Sequence, residues 1–332
     1  MKITLVEPKS PGLHVFSSIK LPRLGLPLIG TMLARLGHDV KVFVEDLAPI
    51  NLKRLLDSDI IGLSATTSTA PAAYRLADEI RQQNRRIPLV IGGPHVTFLP
   101  DEALEHVDYC VRGEGEHTMI ELVASLENGG DVENIQGLSY KREGRVYHNP
   151  ERPLNKDLDA LPFPDLSLIE GYGRMRITPI ATSRGCPYNC RFCSVIQMFG
   201  QKYRVRSVQN VLDEIIEKKP KQIFFYDDNF TADRNRTKKL LQGIIDHCPK
   251  TIWTAQVRPE VAKDEELLQL MFDSGCRLVY IGFESINKKT LKAYNKKLDA
   301  EEIPSCIETI HRHGIKIHGM FVIGADEDTE QT

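Results

Sequence analysis

Three cysteines lie close together near the middle of the sequence, and their type and spacing suggest metal chemistry. Cys186, Cys190 and Cys193 are separated by three and two residues within the segment 183–193. Thiolates at such short spacing favour zinc or an iron–sulfur cluster. A structural zinc site needs four protein ligands, and no fourth ligand follows at a typical spacing. We therefore expect the three thiols to hold a cluster in which one iron lacks a protein ligand and is open to a substrate or cofactor.

Two other interpretations of these cysteines stay open at this point. The three thiols could be buried and unreactive, although a loop that contains Gly, Pro and Asn is an unusual place for them. Alternatively, a zinc site could recruit Cys248, Cys276 or a histidine. The chain has seven cysteines and no secretory signal, so a disulfide scaffold is not expected.

The part of the chain that carries the cysteines alternates between strand and helix patterns. The strand candidates are residues 180–183, 222–226, 251–256, 278–283 and 316–323. Between them, apolar positions recur with helical spacing, as at Val208, Val211, Leu212 and Ile215. Regular β-then-α units predict a barrel whose chemistry gathers at the carboxyl ends of its strands. The cysteine segment directly follows the first strand, so we expect it on that rim.

The first part of the chain also alternates, with glycine-rich breaks after its strands. The strand candidates are residues 3–6, 40–44, 60–64, 89–91 and 109–111. This pattern predicts an open parallel sheet covered by helices on both faces. Such sheets bind ligands beyond the carboxyl ends of their strands, where Ser64, Gly92, Gly93 and Gly113 lie. Alternatively, each of these glycines serves only to make a tight turn.

A proline-rich stretch at residues 149–169 separates the two parts, and a hairpin candidate at 137–147 precedes it. We therefore predict an N-terminal domain over residues 1–135, a hairpin and linker over 136–172, and a second domain over 173–332.

Composition narrows the class of protein further. The 43 basic and 45 acidic side chains nearly cancel, so no nucleic-acid partner is expected. No apolar run is long enough to span a membrane, and the N-terminal apolar stretch is too short for a signal peptide. These features predict a cytoplasmic protein.

The cysteine segment resembles the signature of the radical S-adenosylmethionine (SAM) superfamily. Cys186, Cys190 and Cys193 match its C-x3-C-x2-C spacing, and Phe192 is the aromatic residue before the last cysteine. The resemblance implies a [4Fe–4S] cluster whose open iron binds SAM. It also implies reductive cleavage of SAM to a 5′-deoxyadenosyl radical, an external electron donor such as flavodoxin or ferredoxin, and a place for Phe192 near the adenine.

The ends of three other strands resemble the segments that contact SAM in this superfamily. The first segment contacts the methionine amino group, the second the ribose and the third the adenine. The matching residues are Asp227, Asp228 and Asn229, then Glu284 and Ser285, then Gly324. Arg258 is placed to reach the SAM carboxylate, although a surface ion pair would explain it equally well. A helix cap at Asp228 or Asn229 is the alternative for the acidic turn.

Segments of the first domain resemble the B12-binding domain of cobalamin-dependent radical SAM enzymes, a group that includes the anaerobic magnesium-protoporphyrin IX monomethyl ester cyclase. The segments are residues 24–27, 62–67, 91–95 and 112–116, together with the linker 158–164. The resemblance implies bound cobalamin, with contacts expected from Ser64, Thr67, Gly92, Gly93, His95, Gly113 and Glu114. A solvated loop histidine is the alternative for His95. The D-x-H-x-x-G histidine motif is absent at residues 7–10, so no histidine is expected below the cobalt.

The fold class that these observations predict is α/β, with a Rossmann-like open sheet followed by a partial TIM-like (β/α)6 barrel. Because the chain stops after its fifth barrel strand candidate, we expect either a truncated chain or a partner that closes the barrel. The favoured reaction is methyl transfer to an unactivated carbon of a small-molecule or peptide substrate. Cyclisation without methyl transfer, a catalytically inactive cobalamin sensor or carrier, and a zinc-stabilised module are the alternatives, and fold alone does not choose among them.

Overall fold

The computed structural model describes residues 1–10, 12 and 20–329. The chain divides into two compact units. Unit 1 comprises Met1–Asn155 and Ala160–Met175, and unit 2 comprises Lys156–Asp159 and Arg176–Thr332.

Unit 1 is built on a seven-stranded sheet. Its strands are β1 (Lys2–Glu7), β2 (Asp39–Val44), β3 (Ile60–Ser64), β4 (Leu89–Gly92), β5 (Tyr109–Val111), β6 (Leu138–Arg142) and β7 (Arg145–His148). They lie in the order β2-β1-β3-β4-β5-β6-β7, and β1 to β5 are mutually parallel. The hairpin β6–β7 pairs antiparallel with β5. The predicted open sheet is confirmed, but the hairpin that we grouped with the linker extends this sheet instead.

Helices cover both faces of the unit 1 sheet, as predicted. They are α1 (Gly25–Arg35), α2 (Leu52–Leu55), α3 (Ala70–Gln83), α4 (Pro94–Phe98), α5 (Pro100–Ala103) and α6 (Glu116–Asn128). Leu33 of α1 packs in the core that contains Ile60, whereas Ala77 of α3 packs in the core that contains Ile61. Neighbouring residues of β3 thus belong to opposite cores, because side chains alternate along a strand. Two short 3-10 helices, Leu166–Leu168 and Tyr172–Arg174, also belong to this unit.

The strand order reverses between β1 and β3, which is where doubly wound sheets usually bind their ligands. At that point the two strands end at Glu7 and Ser64. The order reverses because β2 lies on one side of β1, whereas β3, β4 and β5 follow one another on its other side.

Unit 2 contains a parallel sheet and a small ribbon. Its strands are β8 (Thr178–Ile180), β9 (Ser183–Arg184), β10 (Arg204–Val205), β11 (Gln222–Phe225), β12 (Ile252–Val257), β13 (Cys276–Glu284) and β14 (Lys316–Phe321). Five strands form the sheet in the order β14-β13-β12-β11-β8, and every neighbouring pair is parallel. This chain-order arrangement confirms the partial barrel. The predicted strand 180–183 is in fact two strands, because β9 leaves the sheet and pairs with β10.

The helices of unit 2 are α7 (Val195–Phe199), α8 (Val208–Lys218), α9 (Arg234–His247), α10 (Glu265–Asp273), α11 (Lys288–Ala293) and α12 (Ile303–Arg312). Three of these helices, α8, α9 and α10, are capped by the residue before them, which is Ser207, Asp233 and Asp264 in turn. Each capping side chain accepts a hydrogen bond from the N–H three residues further along the chain. Apolar residues of these helices share one core with Ile223 and Phe225 of β11. Two 3-10 helices, Pro259–Lys263 and Ala300–Glu302, complete the unit.

No helix within the described ranges is both long enough and apolar enough to cross a membrane.

Candidate functional site

The loop that carries the three cysteines is closed at its base by the β9–β10 ribbon. Gly185, the first residue after β9, has a φ of +85°. A Cβ added there would lie 3.0 Å from the carbonyl oxygen of Lys202 and 3.2 Å from that of Gly200. Glycine is therefore required at this point, both for its backbone conformation and for the close approach of the two ends of the loop.

A buried carboxylate fastens the start of the cysteine loop to the end of β11. Asp227 is fully buried, and its oxygens accept hydrogen bonds of 2.6 Å from the N–H and from the hydroxyl of Thr182. A third, of 2.8 Å, comes from the Ser183 hydroxyl. Burial raises the pKa of Asp227, and the bonds from Thr182 and Ser183 oppose that shift. These contacts occupy the Asp227 carboxylate with the chain that it holds, and its predicted contact with the cofactor stays a prediction.

Asp228 and Asn229, which follow Asp227, differ in their exposure to solvent. Asp228 has an exposed side chain, whereas Asn229 is buried. Protein atoms nevertheless surround the Asp228 carboxyl, and this desolvation, together with the charge of Asp227, raises its pKa to about 6. The residue that caps helix α9 is Asp233, so the interpretation of Asp228 or Asn229 as its cap is wrong.

The thiols themselves are partly or fully withdrawn from solvent. Cys190 is buried, and Cys186 and Cys193 are half-buried. Desolvation raises the pKa of Cys186, while a hydrogen bond from the backbone of Tyr188 lowers it. Desolvation likewise raises the pKa of Cys193, opposed by the backbone of Val195. Backbone N–H groups that point at sulfur favour thiolates, which are the form that binds iron.

The donor set fits a cluster rather than a single metal ion. Among the described residues, no three Cys, His, Asp or Glu side chains converge on one ion. A [4Fe–4S] cluster assigns each thiolate to a different iron and does not need such convergence. Cys276 is the first residue of β13, and Cys248 directly follows α9, so both lie near the amino ends of the strands, at the edge of the sheet opposite the cysteine loop. The zinc site that would recruit them is therefore wrong.

Arg258, at the end of β12, lies directly beside the loop. Its guanidinium is 3.7 Å from the sulfur of Cys190 and 3.8 Å from the ring centre of Tyr188. It also pairs with Glu260 at 2.8 Å. Only 8% of the residue is exposed, so the surface ion pair that we left open is wrong. The guanidinium already has several partners within the chain, and its contacts suit a group that holds the loop.

Residues after α11 hold the other side of the loop. The backbone oxygen of Tyr294 accepts a 3.0 Å bond from the N–H of Arg191, and the Asn295 amide donates a 2.6 Å bond to the Asn189 oxygen. Sequence reasoning missed this segment. The one available signal is Asn295, a residue type that tolerates the left-handed backbone it adopts here, at φ 53°.

Glu284, at the end of β13, forms a buried ion pair with Lys296. Its Oε1 accepts a 2.8 Å hydrogen bond from Nζ of Lys296, and both side chains are at most 10% exposed. Glu284 also has a φ of 67° in spite of its side chain. Such backbone strain is often found at functional sites.

The remaining candidates of unit 2 lie in different surroundings. Phe192 is 43% exposed and contacts the ring of Tyr294, with ring centres 5.1 Å apart. Ser285 is buried, and its hydroxyl accepts a 3.0 Å bond from the Asn287 N–H. Gly324 follows β14, and its N–H donates a 2.9 Å bond to Asp328. Phe192 therefore offers an accessible ring, and Gly324 keeps its N–H occupied.

In unit 1, the glycine turn after β4 is required by packing. Gly93 has a φ of +108°, and a Cβ added there would lie 2.6 Å from the carbonyl oxygen of Ala65. His95 follows it and is 8% exposed, so the solvated histidine that we left open is wrong. Its ring nitrogens lie 3.3 Å from the Thr67 hydroxyl and 3.2 Å from Glu102. The histidine therefore ties the loop after β3 to the loop after β4.

The other candidates of unit 1 line the same edge of the sheet. Ser64 and Gly92 are register partners at the ends of β3 and β4. Gly113, beyond the end of β5, donates its N–H to the Thr97 hydroxyl at 3.0 Å, and Glu114 accepts a 2.8 Å bond from the N–H of Asn155. The structure thus brings the predicted residues of unit 1 to one edge, although several of their polar groups are already paired.

Glu7 and Arg23, which sequence reasoning missed, meet at the reversal of the strand order. Glu7 accepts a 3.1 Å bond from the Arg23 N–H, and Arg23 Nη2 lies 3.3 Å from the Thr66 hydroxyl. Burial raises the pKa of Glu7 to about 7, against the opposing charge of Arg23. Nη1 of Arg23 is buried and has no hydrogen-bond partner in the described part of the chain. An orphaned donor beside a glycine-rich sheet edge fits a large polar ligand such as cobalamin.

Comparison with protein families assigns both units. The B12 binding domain model matches residues 18–123, and the Radical SAM superfamily model matches residues 180–332. These two matches confirm the prediction of cobalamin, SAM and a [4Fe–4S] cluster as cofactors.

Curated relatives align with almost the whole chain. The uncharacterized methyltransferase PH0819 of Pyrococcus horikoshii is 35% identical, over 100% of this chain and 76% of its own length. Bacteriochlorophyllide d C-12(1)-methyltransferase of Chlorobaculum tepidum is 28% identical, over 100% of this chain and 71% of its own. The anaerobic magnesium-protoporphyrin IX monomethyl ester cyclase of Synechocystis is 27% identical, over 98% of this chain and 70% of its own length.

Solved structures share the fold. The cobalamin-dependent SAM radical enzyme OxsB, with aqua-cobalamin bound, superimposes with a TM-score of 0.80 at 23% identity. That match covers 97% of this chain but only 49% of OxsB, so the chain spans about half of that protein. The radical SAM methyltransferase TsrM of Kitasatospora setae gives a TM-score of 0.79 at 20% identity, over 99% of this chain and 69% of TsrM. With these matches in both units and along its whole length, the chain belongs to the cobalamin-dependent radical S-adenosylmethionine enzymes.

Proposed function

We propose that this enzyme methylates an unactivated carbon of a small-molecule or peptide substrate. The observation that carries the proposal is the presence, in one chain, of a B12-binding sheet and a three-cysteine radical SAM loop. Relatives named as methyltransferases support it. When bound, the cluster supplies the electron that cleaves SAM to a hydrogen-abstracting radical, and cobalamin supplies the methyl group.

In this proposal, the residues of unit 2 hold and orient the cluster and SAM. Cys186, Cys190 and Cys193 bind three irons, while Arg258 offsets thiolate charge and Asp227 fixes the loop. The exposed ring of Phe192 packs against adenine. The remaining SAM contacts are Asp228 and Asn229 for the amino group, Glu284 and Ser285 for the ribose, and the backbone near Gly324 for the adenine.

The residues of unit 1 hold cobalamin at the carboxyl edge of the sheet. Glycines leave room for the corrin to approach the backbone, and Arg23 offers its orphaned N–H group to an oxygen of the ligand. The candidate contacts are Ser64, Thr67, Gly92, Gly93, His95, Gly113 and Glu114. His95 is already held by Thr67 and Glu102, so we assign it to shaping the edge rather than to binding cobalt.

The proposal also includes a supply of low-potential electrons from reduced flavodoxin or ferredoxin, and a cytoplasmic location. All seven cysteines are unpaired, as in a reducing compartment. Replacing dithionite by reduced flavodoxin should still yield 5′-deoxyadenosine if a protein donor can reach the cluster.

A labelling experiment tests methyl transfer without knowledge of the substrate. The anaerobically reconstituted holoenzyme receives hydroxocobalamin, dithionite and SAM labelled in its methyl group. We expect 5′-deoxyadenosine, and label in the cobalamin fraction. The Cys190→Ala variant should lose the deoxyadenosine, because an iron loses its thiolate, whereas Cys248→Ala should retain it as a matched cysteine control.

The same experiment separates the alternatives. Deoxyadenosine without label in cobalamin would favour cyclisation, a reaction for which the Synechocystis cyclase is a relative. Cobalamin uptake without any deoxyadenosine would instead indicate a catalytically inactive carrier, and would defeat the proposal.

A further inference from the structure

One residue links the cysteine loop to the end of β13. Lys296 is only 6% exposed, and its Nζ donates a 2.8 Å hydrogen bond to Oε1 of Glu284. Its backbone oxygen accepts a 2.8 Å bond from Nη2 of Arg258, whose Nη1 lies 3.7 Å from the sulfur of Cys190. Side chain and main chain of this one residue therefore reach two different parts of the site.

The residues beside Lys296 hold the loop directly. The Tyr294 oxygen and the Asn295 amide bind the backbone of Arg191 and Asn189, on either side of Cys190. Asn295 has a left-handed backbone, at φ 53°. A change in the conformation of this segment would therefore move the loop and Lys296 together.

The Glu284 carboxylate is held in one orientation by this contact. Its φ of 67° fixes an uncommon direction for the side chain, and Gly282 leaves the space that the carboxylate fills, since a Cβ there would lie 2.2 Å from Oε1. Oε1 is occupied by Lys296, and Oε2 has no hydrogen-bond partner among the residues that the structure describes. Glu284 thus presents one acceptor that the chain leaves unpaired.

We propose that Lys296 is a positioning residue that turns Oε2 of Glu284 toward the ribose hydroxyls of SAM and keeps this acceptor in register with the cysteine loop. The proposal rests on the assignment of Glu284 to the ribose given under Proposed function. It concerns SAM binding and is independent of methyl transfer. Lys296 offsets the negative charge of Glu284 within the buried pair and holds Oε1, which leaves Oε2 as the acceptor that can face a ligand.

The test compares SAM with an analogue that lacks both ribose hydroxyls. Equilibrium dialysis uses the holoenzyme with its cluster oxidised, so that SAM is not cleaved. We expect the wild type to prefer SAM by about tenfold, the value of one hydrogen bond to a charged acceptor. Lys296→Met should bind SAM about tenfold more weakly and bind the analogue as the wild type does, so that the preference disappears.

Two further variants make the result specific to position and charge. Lys292→Met removes the same charge from an exposed position of α11 and should keep the preference. Lys296→Arg retains a cation at this position and should keep most of the preference for SAM over the analogue. With a SAM analogue that cannot be cleaved but keeps both ribose hydroxyls, the EPR spectrum of the reduced cluster should change on addition of the analogue in the wild type and in Lys292→Met. In Lys296→Met it should change only at higher concentrations of the analogue.

The outcomes that would overturn the proposal are distinct. An equal loss of affinity for SAM and for the analogue in Lys296→Met would mean that Lys296 only supports the fold. No preference for SAM in the wild type would overturn both this proposal and the ribose assignment of Glu284. If Lys296→Met fails to assemble, Glu284→Gln carries the test: it should lose the preference, and Glu284→Gln with Lys296→Arg should lose no more.

Discussion

Buried charges at the rim of unit 2 each have a partner, and those partners decide how the site is held. Asp227 is surrounded by donors from Thr182 and Ser183, and Glu284 pairs with Lys296. A charge withdrawn from water destabilises the fold unless it is hydrogen-bonded or paired. These pairings therefore fix the positions of the groups around the cysteine loop.

Glu7 in unit 1 gives a pH-dependent prediction at the scale of one residue. Its pKa is raised from 4.5 to about 7 by burial. A raised pKa means that the folded state prefers the protonated form, so this stabilising contribution is complete below pH 4.5 and is lost as the pH rises through 7. Because each unit of pKa shift corresponds to about 1.4 kcal/mol, the free energy of unfolding of the wild type should fall by roughly 3 kcal/mol relative to Glu7→Gln over that range.

Hydrogen exchange of the β1 amides measures this difference. Comparing wild type and Glu7→Gln at each pH cancels the intrinsic pH dependence of exchange. Above pH 7 the difference between them should level off. A difference that stays constant from pH 4.5 to pH 8 would show that Glu7 does not titrate in this range.

At the scale of elements, the cysteine loop is shaped more by its base than by its cysteines. The β9–β10 ribbon, Gly185 and Asp227 all act where the loop leaves and rejoins the sheet. Tyr294 and Asn295 then hold its middle by hydrogen bonds to the backbone of Arg191 and Asn189. The loop is therefore fixed at several points by groups that do not bind metal.

Gly185→Ala should damage the loop through its base. The new Cβ would lie within 3.0 to 3.4 Å of three backbone oxygens, at a φ of +85°. We expect a loss of about 2 to 4 kcal/mol, from backbone strain and crowding together. Iron and sulfide content after anaerobic reconstitution should fall, and thermal unfolding should begin at a lower temperature.

Gly144→Ala is the matched control for this substitution. Gly144 has a φ of +78°, but a Cβ there would meet nothing within 4 Å. The Gly144→Ala variant should therefore lose only about 1 kcal/mol of stability, from its backbone conformation, and should retain a full cluster. Equal iron content in the two variants would argue against the importance of the loop base.

At the scale of the whole molecule, the two units share no apolar core among the described residues, and each matches a different cofactor-binding family. Binding of cobalamin and assembly of the cluster should therefore be separable by substitution. In Gly93→Ala the added Cβ would lie 2.6 Å from the Ala65 oxygen and would displace the edge where cobalamin is proposed to bind.

Crossed measurements on two variants check this separation. Gly93→Ala should bind cobalamin at least about tenfold more weakly, because the edge must shift, while keeping the iron content of the wild type. Cys190→Ala should lose iron and bind cobalamin normally. Loss of both cofactors in either variant would mean that the two sites depend on each other.

The alternation of strands and helices and the cysteine spacing were readable from the sequence, because both depend on residues that are close along the chain. The Asn189–Asn295 and Cys190–Arg258 contacts were not, since they join residues 106 and 68 positions apart. Asp227 shows a different limit. Its neighbour Asp228 is exposed, and only the three-dimensional course of β8 and β9 decides which carboxylate is enclosed.

The closed base of the cysteine loop bears on how the enzyme survives oxygen. In small zinc modules the metal creates the fold, and its removal unfolds the chain. Here, the hydrogen bonds and the glycine turn that hold the base of the loop come from residues other than the three cysteines. We therefore expect a chain whose cluster has been destroyed by air to remain folded, and to be repaired by inserting a new cluster instead of being degraded and made again.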